Sequence, residues 1–141
     1  MIKIYTIGYT GKTERIFREV LDAVGVQLVV DVRRWPNGLD EHWHAKDYLT
    51  VALGDKYRHM FELAPSVDIL GKYLGYKIDW VEYERKYNAQ IAARGIERLF
   101  TPEDLHEICF MCSEACAEKC HRRLAAEYLA AHFPGVKIIH L

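Results

Sequence analysis

Amide side chains are scarce in this chain, with two asparagines and two glutamines among 141 residues. Few thermolabile amides fit a thermophilic source, which is the expectation here. Proline is sparse as well, at four residues, and no Pro-, Gly- or Ser-rich stretch occurs. That excludes a linker or a low-complexity segment, and no internal repeat is visible. No apolar run approaches the ~20 residues that a membrane helix needs. The N-terminus reads as a strand and carries no charged region followed by an apolar one. A cytoplasmic protein with no membrane partner is therefore expected. Excess charge is missing too: the formal net charge is −1. Bulk electrostatic binding to nucleic acid is not indicated, although Arg33-Arg34 and Arg122-Arg123 could converge into a local basic patch.

What is present is a globular composition, 50% apolar and 28% charged. A chain of 141 residues fits one domain, 1–141, with enough length to bury a core. Four cysteines in a cytoplasmic chain are more often thiols, ligands or nucleophiles than a disulfide framework.

The pattern alternates strands and helices. Residues 2–7 alternate apolar and polar and open a sheet, stopped by Gly8-Tyr9-Thr10-Gly11. Thr13 caps a helix with Ile16, Phe17, Val20, Leu21 and Val24 on one face, and Gly25 closes it. Residues 28–32 form a near-continuous apolar run, suited to a parallel strand covered on both faces. A short helix over 46–53 ends at Gly54, and a strand is expected over 57–63. Leu70 to Gly75 reads as a glycine-punctuated loop, and 80–93 as a helix with Trp80, Tyr83, Tyr87 and Ile91 on one face. Thr101-Pro102-Glu103-Asp104 is a helix start. A strand over 108–111, a helix over 121–132 and a strand over 136–141 complete the chain. The expected fold is a three-layer α/β/α domain with a mainly parallel sheet of about five strands.

The chemistry concentrates after the strand at 108–111, in Cys112-Ser113-Glu114 and Cys120-His121-Arg122-Arg123. A thiol at the C-terminal edge of a parallel sheet lies where such folds bind ligands. A helix start near Cys120 and the charge of Arg122 favour the thiolate. Cys112 is the candidate nucleophile or redox thiol, Glu114 a candidate acid or base, and His121 a proton carrier or a helix cap. The bland alternative for Cys112 is a buried small hydrophobe. Asp31 and Arg33 follow the second strand. Two arginines there, Arg33 and Arg34, suit a carboxylate or phosphate, while Asp31 is better read as a bonder of nearby backbone N–H groups. Arg33 and Arg122 would hold an anion, helped by backbone N–H groups at Tyr9, Thr10 and Cys120. The spacing of Cys109, Cys112, Cys116 and Cys120 matches no usual zinc pattern, and Cys109 has the opposite strand parity to Cys112. No metal and no cofactor are assigned. His42 and His44, flanked by Asp40, Glu41 and Asp47, read as a surface loop, and His59 with Glu62 as weaker candidates for the same cleft. The aromatic residues of 73–87 read as packing.

Thr6-Ile7-Gly8-Tyr9-Thr10, Val30-Asp31-Val32-Arg33 with Pro36, Leu70-Gly71-Lys72, and above all Cys112-x-Glu114 followed by Cys120-His121-Arg122 together resemble the domain-of-unknown-function family DUF488. The resemblance implies a compact Rossmann-like fold with the cysteine signature at one sheet edge, and no activity. Rhodanese-like and cysteine-phosphatase loops offer a looser analogy, with a longer loop here. The functional expectation is a small enzyme acting on an anionic small molecule, such as a nucleotide or nucleic-acid component. The alternatives are a nucleotide- or nucleic-acid-binding module without turnover, and a structural latch made of the Cys/Glu/Arg set.

Overall fold

The computed structural model describes residues 1–38 and 42–141. Leu39, Asp40 and Glu41, and with them two of the three acidic residues flanking the His42–His44 loop, lie outside the described residues. One five-stranded sheet runs through the molecule in the order β3-β2-β4-β1-β5, and every pairing is parallel. The strands are β1 (Ile2–Gly8), β2 (Leu28–Asp31), β3 (Tyr57–His59), β4 (Ile108–Cys112) and β5 (Val136–His140). Helices α1 (Glu14–Val24), α2 (Lys46–Leu53), α3 (Val67–Leu74), α4 (Trp80–Arg94), α5 (Pro102–Leu105) and α6 (His121–His132) connect and cover them. The expected α/β/α layering with a parallel sheet is what the chain adopts.

Strand parity sorts the core into two halves. Ile4, Val30, Ile108, Phe110 and Cys112 pack under α3, α4 and α6. Tyr5, Ile7, Val29, Cys109 and Met111 pack on the other face, under α1 and α2. Both faces being covered explains the near-continuous apolar runs of β2 and β4. The helix boundaries follow capping chemistry. The Thr13 hydroxyl accepts from the Ile16 N–H, and Gly25 ends α1 in the left-handed region at φ 77°. Thr101 and Asp104 form a reciprocal capping box at α5.

Two local expectations are corrected. The strand expected over 57–63 ends at His59, and Phe61–Leu63 is a 3₁₀ turn. Among the described residues edge strand β3 pairs only with β2, and β2 itself stops at Asp31, so no described strand lies alongside to extend the ladder. Leu70 to Gly75 is not a loop. Gly71 sits inside α3, whose start is fixed by the Ser66 hydroxyl accepting from the Ile69 N–H. The cost of a helical glycine, about 1 kcal/mol, is offset by burial of Ile69 and by packing of Leu70 and Tyr73 against the core.

Candidate functional site

The crossovers create a crevice. From β1 the chain leaves through α1 on one face towards β2, and from β4 it leaves through α6 on the other face towards β5. Adjacent parallel strands whose connections diverge in this way open a ligand crevice at their carboxyl ends. The loops after β1 and β4 meet there: the Tyr9 N–H donates to the Cys112 carbonyl at 3.2 Å and the Thr10 N–H to the Ser113 carbonyl at 3.1 Å. Gly8 makes this possible. A Cβ at Gly8 would stand 1.6 Å from the Glu114 carbonyl oxygen, so only a residue without a side chain fits. Gly8 therefore admits the Glu114 backbone, and the N–H groups of Tyr9 and Thr10 are occupied by the same loop.

Cys112 ends β4 and is 4% exposed, on the α4/α6 side of the sheet. Its thiol is held below the ordinary value. The first cause is a hydrogen bond from the Cys120 thiol, then one from the Ser113 N–H and the charge of Arg122, against the opposing effect of burial. Cys120, the N-cap residue of α6, is pushed well up, first by its interaction with Cys112 and then by burial. Cys109, on the opposite sheet face, is pushed up by burial, and Cys116 is exposed on the loop. The set divides into one acidified thiol, its hydrogen-bond donor, one core sulfur and one surface sulfur.

His121 follows Cys120 and is buried against the ring of Tyr87, 5.4 Å between centroids. Its Nε2–H donates to the Val32 carbonyl at 2.7 Å. Its two nitrogens lie 3.9 and 4.0 Å from Cys112 Sγ. Near-equal distances mean that neither lone pair aims at the sulfur, so the ring stands side-on to the thiol. The donor atoms of Cys112, Cys120 and His121 lie within 4.8 Å of one another. Two thiolates and an imidazole are chemically able to hold zinc, but only after the ring turns away from its present orientation.

Asp31 and Arg33 form a closed unit. The Arg33 Nε and Nη2 donate to both Asp31 oxygens at 2.9 and 2.7 Å, and the Arg33 N–H adds a third bond. The Tyr57 hydroxyl donates to Asp31 Oδ2 at 2.5 Å. Asp31 is fully buried and Arg33 7% exposed. Burial opposes the Arg33 charge, yet the Asp31 bonds outweigh it and hold the guanidinium charged above its usual range. Arg33 Nη2 also donates to the His44 carbonyl, and the guanidinium lies 5.2 Å from the Tyr9 ring centre. His59 Nε2 donates to the Arg33 carbonyl. Arg33 thus reaches the cleft as half of an ion pair. Glu62 is exposed, with its carbonyl held by Arg94.

Arg122 is different. It is 1% exposed, and its Nη1 and Nη2 donate to the carbonyls of Glu114 and Ala115, at 2.5 and 3.4 Å. Its buried Nε has no partner, and no carboxylate pairs with it among the described residues. The Glu114 side chain itself is exposed at the mouth of the cleft. A buried guanidinium facing only carbonyls leaves a positive field beside Cys112.

Cys112, Ser113, Glu114, Cys120 and His121 line a cavity of about 220 Å³, together with Tyr9, Arg33 and Arg34. Its far wall comes from aromatic residues of 73–87 that the sequence marks as packing and that here also face the cavity. Tyr73, Trp80 and Tyr83 pack against one another at 4.8–5.8 Å between centroids and line the same cavity. Lys119 and Arg34 add positive charge at the rim. The spacing of Trp80 and Tyr83 in α4 was a visible signal, but Tyr73 and Leu70 belong to the helix that reads as a loop. Thr10 lies outside this lining, exposed on the β1 loop. No described helix is long and apolar enough to cross a membrane.

No curated protein and no solved structure matches the chain. The model of a family described as a domain of unknown function, DUF488, matches residues 12–129. That span takes in the Asp31–Arg33 unit and the Cys112–Arg122 stretch and leaves out Thr6–Thr10. With most of its length matched, this chain belongs to the DUF488 family.

Proposed function

We propose that this protein is a small cysteine enzyme acting on an anionic small molecule that carries a flat ring, of which a nucleotide is one example. The observation that carries the reading is that the charge of the buried Arg122, which has no carboxylate partner among the described residues, acts on the Cys112 thiol. A thiolate is a counter-charge for a guanidinium that has none among the described residues, and Cys112 lines a cavity. Cys112 is the nucleophile. The Ser113 N–H and the Cys120 thiol hold its charge. Tyr73 and Trp80 give the flat part of the ligand a face to stack on. Arg34 and Lys119 at the rim meet its anionic group, and Glu114 at the mouth is placed to give or take a proton. Arg122 does not contact the ligand in this reading. It holds the loop through two carbonyls and sets the field at the thiol, which makes it the latch of the site.

The test is alkylation of Cys112 by iodoacetamide across pH, in a Cys116→Ser background that removes the exposed thiol. The expected profile has its midpoint below the ~8.5 of an ordinary thiol, and adenosine monophosphate slows the reaction. A midpoint at the ordinary value, with no protection by the nucleotide, overturns the proposal.

A further inference from the structure

We propose that Cys112 and Cys120 work as a dithiol pair that reduces a small-molecule disulfide bound against the aromatic wall of the cavity. This deepens the reading above and rests on Cys112 being the nucleophile. The geometry carries it. Both sulfurs line one cavity, and their donor atoms lie within 4.8 Å of each other. Cys112 closes β4 and Cys120 is the N-cap residue of α6, so the strand end and the helix start bring the two thiols together across a seven-residue loop. The other two thiols are excluded by position: Cys109 lies under α1 and α2, and Cys116 is exposed outside this cavity.

The two thiols are unequal in the way that exchange requires. The ionised Cys112 attacks one sulfur of the bound disulfide R–S–S–R. A Cys112–S–S–R bond forms, the substrate S–S bond breaks, and RS⁻ leaves to take a proton from water. The negative charge on Cys112 is then gone. That hydrogen bond and charge, together with burial, hold the proton on Cys120, while His121 and Arg122 act to release it. Capture of the first sulfur therefore activates the second thiol. Cys120 loses its proton and attacks Cys112 Sγ, the Cys112–Cys120 disulfide forms, and the second RS⁻ departs with that proton. The balance is one disulfide and two protein thiols giving one protein disulfide and two RSH, with no other reactant. A low-molecular-weight thiol reverses it through the same mixed disulfide.

Dithiodipyridine, a flat aromatic disulfide whose released thiopyridone absorbs light, is the probe. It is added in slight excess to the full chain carrying Cys116→Ser, with circular dichroism checking that each variant folds. The expected result is two thiopyridones released per chain and a protein mass lower by two hydrogens. In the Cys116→Ser/Cys120→Ser variant one thiopyridone is released and the pyridyl adduct stays on Cys112, its lifetime lengthened at least ~10-fold, because no thiol is left to resolve it. A stable adduct in the Cys120-containing parent overturns the pair while leaving Cys112 as nucleophile. Adduct formation on Cys120 in preference to Cys112 overturns the underlying assignment of the nucleophile. Reaction at neither sulfur overturns both.

Discussion

Replacing Gly8 with alanine tests the packing on which the site rests. The added Cβ would lie 1.6 Å from the Glu114 carbonyl oxygen and 2.6 Å from its carbon. Side-chain carbons essentially never approach within 3.0 Å, so the two loops must part by about 1.4 Å. Neither side is a flexible side-chain tip, because both are backbone. Gly8 also ends β1 in register with Cys112, so the movement pulls on the strand pair itself. Overpacking of this kind costs about 1–3 kcal/mol. Moving Glu114 also breaks its 2.5 Å bond with the buried Arg122, and a bond to a charged group is worth about 1.5–3 kcal/mol. Against this, alanine restricts the unfolded chain and returns about 0.4–1 kcal/mol. The net expectation is a loss of about 3 kcal/mol, a large share of the ~5–15 kcal/mol that holds a typical domain together. Urea unfolding followed by circular dichroism measures it, and Cys112 alkylation in the same variant should slow as Arg122 shifts. A loss under about 1 kcal/mol with unchanged alkylation would refute the claim that the close approach of the two loops builds the site.

Tyr57→Phe removes one donor to the fully buried Asp31 while leaving the Arg33 bonds in place. It should cost about 1.5–3 kcal/mol in urea unfolding, and a neutral result would mean that the hydroxyl is readily replaced by water. His140 is held below the ordinary imidazole range, by burial first and then by Arg122, and its Nδ1 lies 2.6 Å from the Thr6 hydroxyl. The folded chain thus resists protonating a group that the unfolded chain protonates below about pH 6.5. Stability from this group is present above that pH and is lost as the pH falls through it. The urea midpoint should fall between about pH 7.5 and 5.5, with a shallower fall in His140→Asn, and an equal slope in both proteins would rule out His140 as a source.

Much of the architecture was legible in the residues because it follows from local rules. Thr13, Gly25 and Thr101 mark helix ends through capping chemistry that acts within a turn. The apolar runs of β2 and β4 announce strands buried on both faces, and the opposite parity of Cys109 and Cys112 is a period-two consequence that the two core halves display. The break at Leu70–Gly75 was misleading for a physical reason. Gly71 weakens a helix locally, and only burial of Ile69 and the contacts of Leu70 and Tyr73 keep it there.

The site divides along the same line. The residue types at the sheet edge, with Cys112, Glu114, Cys120, His121 and Arg122 close in sequence, were enough to single out a candidate site after β4. Which of them point at one another was a matter of tertiary packing. Asp31 was read mainly as a partner of backbone N–H groups, and in the fold its carboxylate binds Arg33 and Tyr57 as well as the Arg33 N–H. Arg122 was read as an anion holder and is buried on two carbonyls without a carboxylate partner among the described residues. The aromatic wall of Tyr73, Trp80 and Tyr83 comes from α3 and α4, which only the packing of those helices brings over Cys112. Patterns of period two or 3.6 report the faces of single elements. The crevice at the ends of β1 and β4 arises because their connections leave on opposite faces, and no local pattern encodes that choice. The sequence alone determined the layers and supplied the thiols, and the tertiary structure decided which thiol is acidified, because burial and neighbouring charges exist only once the chain is folded.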